Sequence, residues 1–236
     1  DLIPRSTGAY DLKVLARQAD EGNRRLTVGF SLSDDFNGDT RYQAGAKFVN
    51  KGLTRQGTEL RSQLIIGEQI LADLEFFHPF KKNRQIFLSP KVWYQEGDTT
   101  LLADGQAIAE LRAKTKGVRL DLGRALGKDA EARVGLFYED LEPKVKTGSL
   151  PIPASSMKFV GIEVQYAHNT LDSMDFPSFG SYLKTTIRQG IKEVGSDTNA
   201  TRLKMDGERV WKLSEKNRLV AAGHLSATSN NGQGLA

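Results

Sequence analysis

The residue groupings in this sequence that could do chemistry each lack a partner that the chemistry needs. A hydrolase serine sits on a Gly-x-Ser-x-Gly elbow, where a tight turn exposes the hydroxyl beside its base. The nearest string, Gly29-Phe30-Ser31-Leu32-Ser33, lacks the second glycine and runs through an alternating segment. Ser31 therefore reads as a strand serine. Asp34, Asp35, Asn37 and Asp39 gather oxygen donors as a calcium loop does. Counting from Asp35, however, the sharp-turn glycine falls on Thr40 and the bidentate acid on Ala46, which leaves a polar hairpin tip. His78, His168 and His224 stand alone, none with a second ligand four residues on, so zinc is not expected. Asn199-Ala200-Thr201 is a glycosylation sequon, which carries meaning only in a glycosylating compartment. No catalytic residue, metal ligand or cofactor is expected, and the chain reads as a non-enzyme.

The elements that would position such residues are strands. Apolar side chains make up 39% of the chain and charged ones 26%, which would suit an ordinary soluble domain. No run of about eighteen apolar residues occurs, which excludes a membrane helix but not a membrane barrel, whose strands need only about ten residues. Cysteine is absent, which removes disulfides and thiolate sites and is compatible with an oxidising periplasm. Thirty-three basic residues nearly balance 29 acidic ones, without a basic cluster, so nucleic acid is not an expected partner.

Period-two alternation recurs along the chain and helical spacing is nearly absent. Leu26, Val28, Phe30 and Leu32 oppose Thr27, Gly29, Ser31 and Ser33, and Asn37-Gly38 then favours a hairpin into Tyr42 to Phe48. Further alternating segments run over 59–67, 70–77, 86–94, 106–126, 131–139, 160–166, 181–189, 201–212 and 217–227. The expected fold is all-β, with about eleven antiparallel strands joined up-and-down. Connections at 54–57, 81–84, 127–129 and 214–217 are short, whereas 95–105, 141–156 and 192–199 read as longer polar loops. That asymmetry suits an outer-membrane barrel with its short turns in the periplasm.

The second face of these strands carries Glu59, Arg61, Gln63, Arg119, Asp121, Glu131, Arg133, Glu139, Glu163 and Gln165. A soluble sandwich or ligand-binding barrel turns such residues to solvent and buries the aliphatics, while a membrane barrel does the reverse. Alternation alone fits both. Strand length favours the membrane, since soluble strands centre on about five or six residues.

Several segments resemble the outer-membrane barrels of the bacterial surface antigen superfamily, the BamA/TamA-like class. Arg25 to Phe36 is similar to the first strand of the subgroup fused to patatin-like phospholipases. Lys51 to Arg61 is similar to the turn after its second strand, with Thr54 in place of a usual Asn. Glu75-Phe76-Phe77-His78-Pro79-Phe80 resembles its aromatic-x-Pro-Leu turn, Gly123-Arg124-Ala125-Leu126-Gly127 its Gly-Arg-x-Leu-Gly turn, and Asp172 to Gly180 its Asp-Phe-Pro-x-x-Gly corner. The resemblance implies a transmembrane barrel over 21–236 with about eleven of about sixteen strands present. It is expected to be C-terminally incomplete, because the family's lumen loop and final strands are not found before Ala236. Residues 1–20, with Leu12, Val14 and Ala16 alternating, are expected to end a periplasmic POTRA-like domain. The implied role is to anchor, and translocate, an N-terminal patatin-like phospholipase passenger in type V subtype d secretion, so the full-length protein would be a phospholipase although this chain is not. The alternative is an assembly or two-partner secretion barrel. Expected partners are outer-membrane lipids and a passenger or client polypeptide, with homo-oligomer formation left open.

Overall fold

The computed structural model describes residues 2–4, 10–17, 23–34, 40–81, 85–103, 106–147, 156–173, 177–215 and 217–230. They form one antiparallel sheet in which every strand lies beside its chain neighbours. In order these are β1 (Leu2–Pro4), β2 (Tyr10–Arg17), β3 (Arg24–Asp34), β4 (Thr40–Asn50), β5 (Glu59–Gly67), β6 (Ile70–Pro79), β7 (Ile86–Ala103), β8 (Gln106–Leu126), β9 (Ala130–Thr147), β10 (Met157–Asn169), β11 (Gly180–Gly190), β12 (Ala200–Lys212) and β13 (Arg218–Asn230). The eleven alternating segments of the sequence correspond to β3 through β13. A 3-10 turn, Lys192–Val194, joins β11 to β12.

Two expectations about connections are corrected. Residues 95–103 and 141–147 are strand rather than loop, because β7 continues to Ala103 and β9 to Thr147, while 148–155 lie outside the described residues. Pairing of opposite charges explains this, as described below. Tyr10–Arg17, containing the alternating Leu12, Val14 and Ala16, pairs antiparallel along β3 with Val14 opposite Phe30. The Asn37-Gly38 tip lies outside the described residues, but Asp34 pairs with Thr40, so β3 and β4 form a hairpin.

The chain divides into two compact units. The first comprises Asp1–His78, Pro90–Val118 and Glu139–Met157, and the second Pro79–Ser89, Arg119–Tyr138 and Lys158–Ala236. In the first, Leu26, Val28, Phe30 and Leu32 are exposed on one face of β3, while Thr27, Gly29 and Ser31 occupy the other. In the second, β10 alternates without exception at its centre, with Phe159, Gly161, Glu163 and Gln165 buried and Ile162, Val164 and Tyr166 exposed.

Burial is thus inverted relative to a water-soluble protein. Val164 is 48% exposed and Leu136 64%, whereas Glu163 and Asp121 are each 1% exposed. Burying one aliphatic side chain contributes about 1.5–3 kcal/mol, so rows left half-open in water would forgo on the order of 1 kcal/mol per residue. Hydrocarbon is the solvent that removes this cost, with the ionic face turned away from it.

Candidate functional site

A buried constellation of charged side chains lies on the polar face of the second unit. Arg119 and Asp121 come from β8, Glu131 and Arg133 from β9, Glu163 and Gln165 from β10, and Arg188 from β11. Arg119 Nη1 donates to Glu163 Oε1 at 2.6 Å. Arg188 and Gln165 also donate to the Glu163 carboxylate. Arg119 Nε stands 2.7 Å from Asp121 Oδ2, an ion pair whose angle does not make a hydrogen bond. Arg133 pairs with Glu131 at 2.7 Å and reaches Asp121 at 3.9 Å. Three guanidinium groups face three carboxylates, so charge is compensated where each ion has lost most of its water.

Small and aromatic residues make this packing feasible. A Cβ on Gly135 would collide with Asp121 Oδ1 and lie 2.6 Å from the Leu120 carbonyl, so only glycine leaves room for the β8 carboxylate against β9. Rings fill the remaining gaps: Phe87 covers Gly123, and Phe159 covers Gly190. Guanidinium groups stack on those rings, Arg133 at 5.1 Å from Phe87, Arg188 at 5.2 Å from Phe137 and Arg202 at 4.0 Å from Phe159. Such stacking holds an arginine head in place while its edge serves a carboxylate. The arrangement makes a charge-compensated, hydrogen-bonding wall.

In the first unit the β4–β5 turn is tied to the end of β6. Leu53 N donates to Thr58 O and Gly57 N to Thr54 O, each at 3.0 Å. The fully buried Thr58 hydroxyl meets Thr54 Oγ1 at 2.6 Å and His78 Nδ1 at 2.9 Å. Arg61 donates from Nη2 to Glu59 at 2.8 Å and lies 4.5 Å from the Phe77 ring. His78 is therefore a turn anchor. The same unit carries a ladder of opposite charges that sequence reading missed: Arg112 bridges Asp98 at 2.7 Å, Lys146 bridges Asp98 and Glu110 at 2.7 and 2.9 Å, and Lys116 bridges Glu142 at 2.8 Å. Cross-strand pairs of this kind favour extended pairing where no apolar row exists.

The sequence model of the Omp85 superfamily domain, the bacterial surface antigen family, matches residues 25–236. The chain belongs to the Omp85 superfamily. Among solved structures it is similar to BamA from Haemophilus ducreyi lacking POTRA domains 1–3, with 16% identity over 96% of this chain and a TM-score of 0.63. At that identity the likeness is one of fold. The chain spans about half of that structure, 48% of its length. No curated protein matches it. Membership and fold place this Omp85 segment in the bacterial outer membrane as an all-β, up-and-down barrel sheet.

Within this Omp85 domain the corner between β10 and β11 is built on Asp172. Its Oδ1 accepts from Ser178 N at 2.7 Å and from Phe179 N at 3.3 Å. The Ser178 N–H, with help from Phe179, holds the Asp172 carboxyl below the usual carboxylate range. Gly180 follows at φ 111, a conformation only glycine adopts readily, and Arg218 Nη1 donates to Pro177 O at 2.9 Å. Asp175 and Phe176 of the motif lie outside the described residues.

Ser31 sits on β3 beside a cavity of about 220 Å3 lined also by Thr27, Gly29, Gln43, Lys47 and Gln63, and no histidine lines it. Asp35, Asn37 and Asp39 lie outside the described residues. His168 is half-buried near the end of β10, and His224 Nδ1 pairs with Asp206 at 2.6 Å. Asn199 Oδ1 accepts from Lys192 N at 2.8 Å, a loop-closing role for the sequon residue. Among the described residues no three histidine or acidic side chains converge as a metal site.

Proposed function

We propose that this chain is the barrel portion of an outer-membrane polypeptide-handling protein, one that inserts or exports client chains. The observation that carries the reading is the Glu163 network: a charge-compensated, hydrogen-bonding surface on the face turned from lipid, opposite an apolar face suited to hydrocarbon. Family membership supports the same class. The test is reconstitution of the full-length protein into lipid vesicles, followed by protease protection of an unfolded outer-membrane client or of an attached passenger. Protection above empty vesicles supports the reading; none with either substrate rejects it.

A narrower reading is favoured by the turn motifs, from Lys51 to Arg61 and from Asp172 to Gly180, which resemble the patatin-associated subgroup. In that reading the barrel anchors and exports an N-terminal patatin-like phospholipase, and residues 1–20 end a periplasmic POTRA-like domain whose last strand, β2, runs onto β3. Phospholipid hydrolysis by the full-length protein, abolished by replacing an upstream elbow serine, tests the passenger. Several tandem periplasmic domains upstream, with no hydrolase, would assign the protein to the assembly class.

A further inference from the structure

On the apolar face of the second unit the β8 row reads Leu120, Leu122, Arg124, Leu126, all exposed. Arg124 interrupts the aliphatics and has no acidic partner among the described residues. On β12 the corresponding row reads Leu203, Met205, Gly207, Arg209, Trp211, with Arg209 exposed and its guanidinium carbon 5.5 Å from the Trp211 ring. Both arginines lie near the same end of their unit. Arg124 precedes the Gly127–Asp129 turn, Asn169 N donates to Asp129 O, Asn169 pairs with Tyr182, and neighbouring Ser181 pairs with Arg209.

An arginine on a lipid-facing row costs about 2–4 kcal/mol at the bilayer midplane and about 0–1 near the interface. Position near a strand end lowers that cost but does not supply an acceptor, and Leu126 continues the apolar row beyond Arg124. Across the ladder Arg209 stands opposite Ser181 and Ala221, neither of which offers a carboxylate. The bilayer offers an anion at this level, and a phosphate matches the planar guanidinium fork. Stacking on Trp211 holds Arg209 at that level in advance.

We propose that Arg124 and Arg209 each hold the phosphate of one phospholipid in the leaflet beside the short turns. The occupant is a glycerophospholipid rather than lipopolysaccharide, because the connections beside the two arginines, 127–129 and 213–217, are shorter than 191–199 at the other end of the unit, and short turns mark the periplasmic rim, where phospholipid forms the leaflet.

The test uses full-length protein reconstituted in phosphatidylcholine vesicles containing phosphatidylglycerol, extracted gently and weighed intact by native mass spectrometry. Wild type is expected to retain two phospholipids more than the R124Q/R209Q double variant, each single variant to lose one, and R124K to keep its lipid. Equal retention by wild type and double variant overturns the proposal. Preferential retention of added lipid A, lost in R124Q, overturns the choice of phospholipid. A second measurement needs no variant: arginine Cζ to lipid phosphorus dephasing in solid-state NMR of the wild type is expected, and its absence overturns the proposal. Because the inference rests on the apolar face meeting lipid, heat-modifiable mobility is followed in the same samples. A wild type that stays water-soluble sinks the membrane reading, whereas one that inserts without retaining lipid sinks only this proposal.

Discussion

Arg119 and Glu163 meet at 2.6 Å although their strands, β8 and β10, are separated by β9. Gly135 on β9 carries no side chain into the space that Asp121 fills, and the long arginine reaches over it. Removing Glu163 takes the acceptor from two buried or half-buried guanidinium groups at once. Glu163→Ala is expected to destabilise the folded barrel by about 3–5 kcal/mol, because Arg119 and Arg188 both lose their acceptor. Urea unfolding in lipid, read by tryptophan fluorescence, measures it, and a loss near zero would show that water compensates the pair.

Gly135→Ala tests the room that the network needs. The added methyl meets the Asp121 carboxylate and lies within 3 Å of backbone, so a cost of about 1–3 kcal/mol is expected in the same unfolding assay. Gly223→Ala, where no atom lies within 4 Å of the new carbon, is the matched control and is expected to cost under about 1 kcal/mol.

The β10–β11 corner is expected to be acid-sensitive. The folded Asp172 carboxyl is held below its ordinary value by the Ser178 amide, so its contribution is present above about pH 4 and is lost as pH falls through the lowered value. The Ser178 amide resonance should titrate with a midpoint below that of a solvent-exposed aspartate, and Asp172→Asn should abolish the titration. A midpoint at or above the exposed value contradicts the geometry.

Thr58→Val keeps the shape of a fully buried side chain and deletes a hydroxyl bonded to Thr54 and His78. The expected cost is about 1–3 kcal/mol. Faster amide exchange at Gly57 than in wild type would accompany it, and unchanged exchange there would show that the turn does not depend on this hydroxyl.

Salt should separate the two kinds of ion pair. Asp98, Arg112 and Lys146 are each more than a quarter exposed in their side chains, whereas Glu163 is closed off. In 1 M sodium chloride, amides near Asp98 and Arg112 are expected to exchange faster while those near Glu163 hold, since screening acts through solvent. Equal acceleration at both places would mean that the Glu163 network is wet.

Alternation made most of the sheet legible. The rows of β3, β8, β9 and β10 announce themselves by aliphatics at every second position, and all eleven segments named from the sequence are strands. The outer parts of β7 and β9 were missed because Glu96, Asp98, Lys144 and Lys146 carry no apolar signal; their pairing depends on charges that meet only once register is set. The Glu163 network was legible as a polar face but not as a unit. Arg119 and Glu163 lie 44 residues apart, and nothing local to Gly135 says that a carboxylate leans against it. The outward Arg124 is visible as part of a turn motif, while its exposure among leucines follows only from the face that β8 turns outward.

The Glu163 wall holds equal numbers of positive and negative groups, each paired in charge with a neighbour. It therefore has little reason to recruit counter-ions, and permeating sodium and chloride would sense it about equally. An extended peptide moving along it, acidic or basic, would meet hydration and friction rather than an electrical barrier.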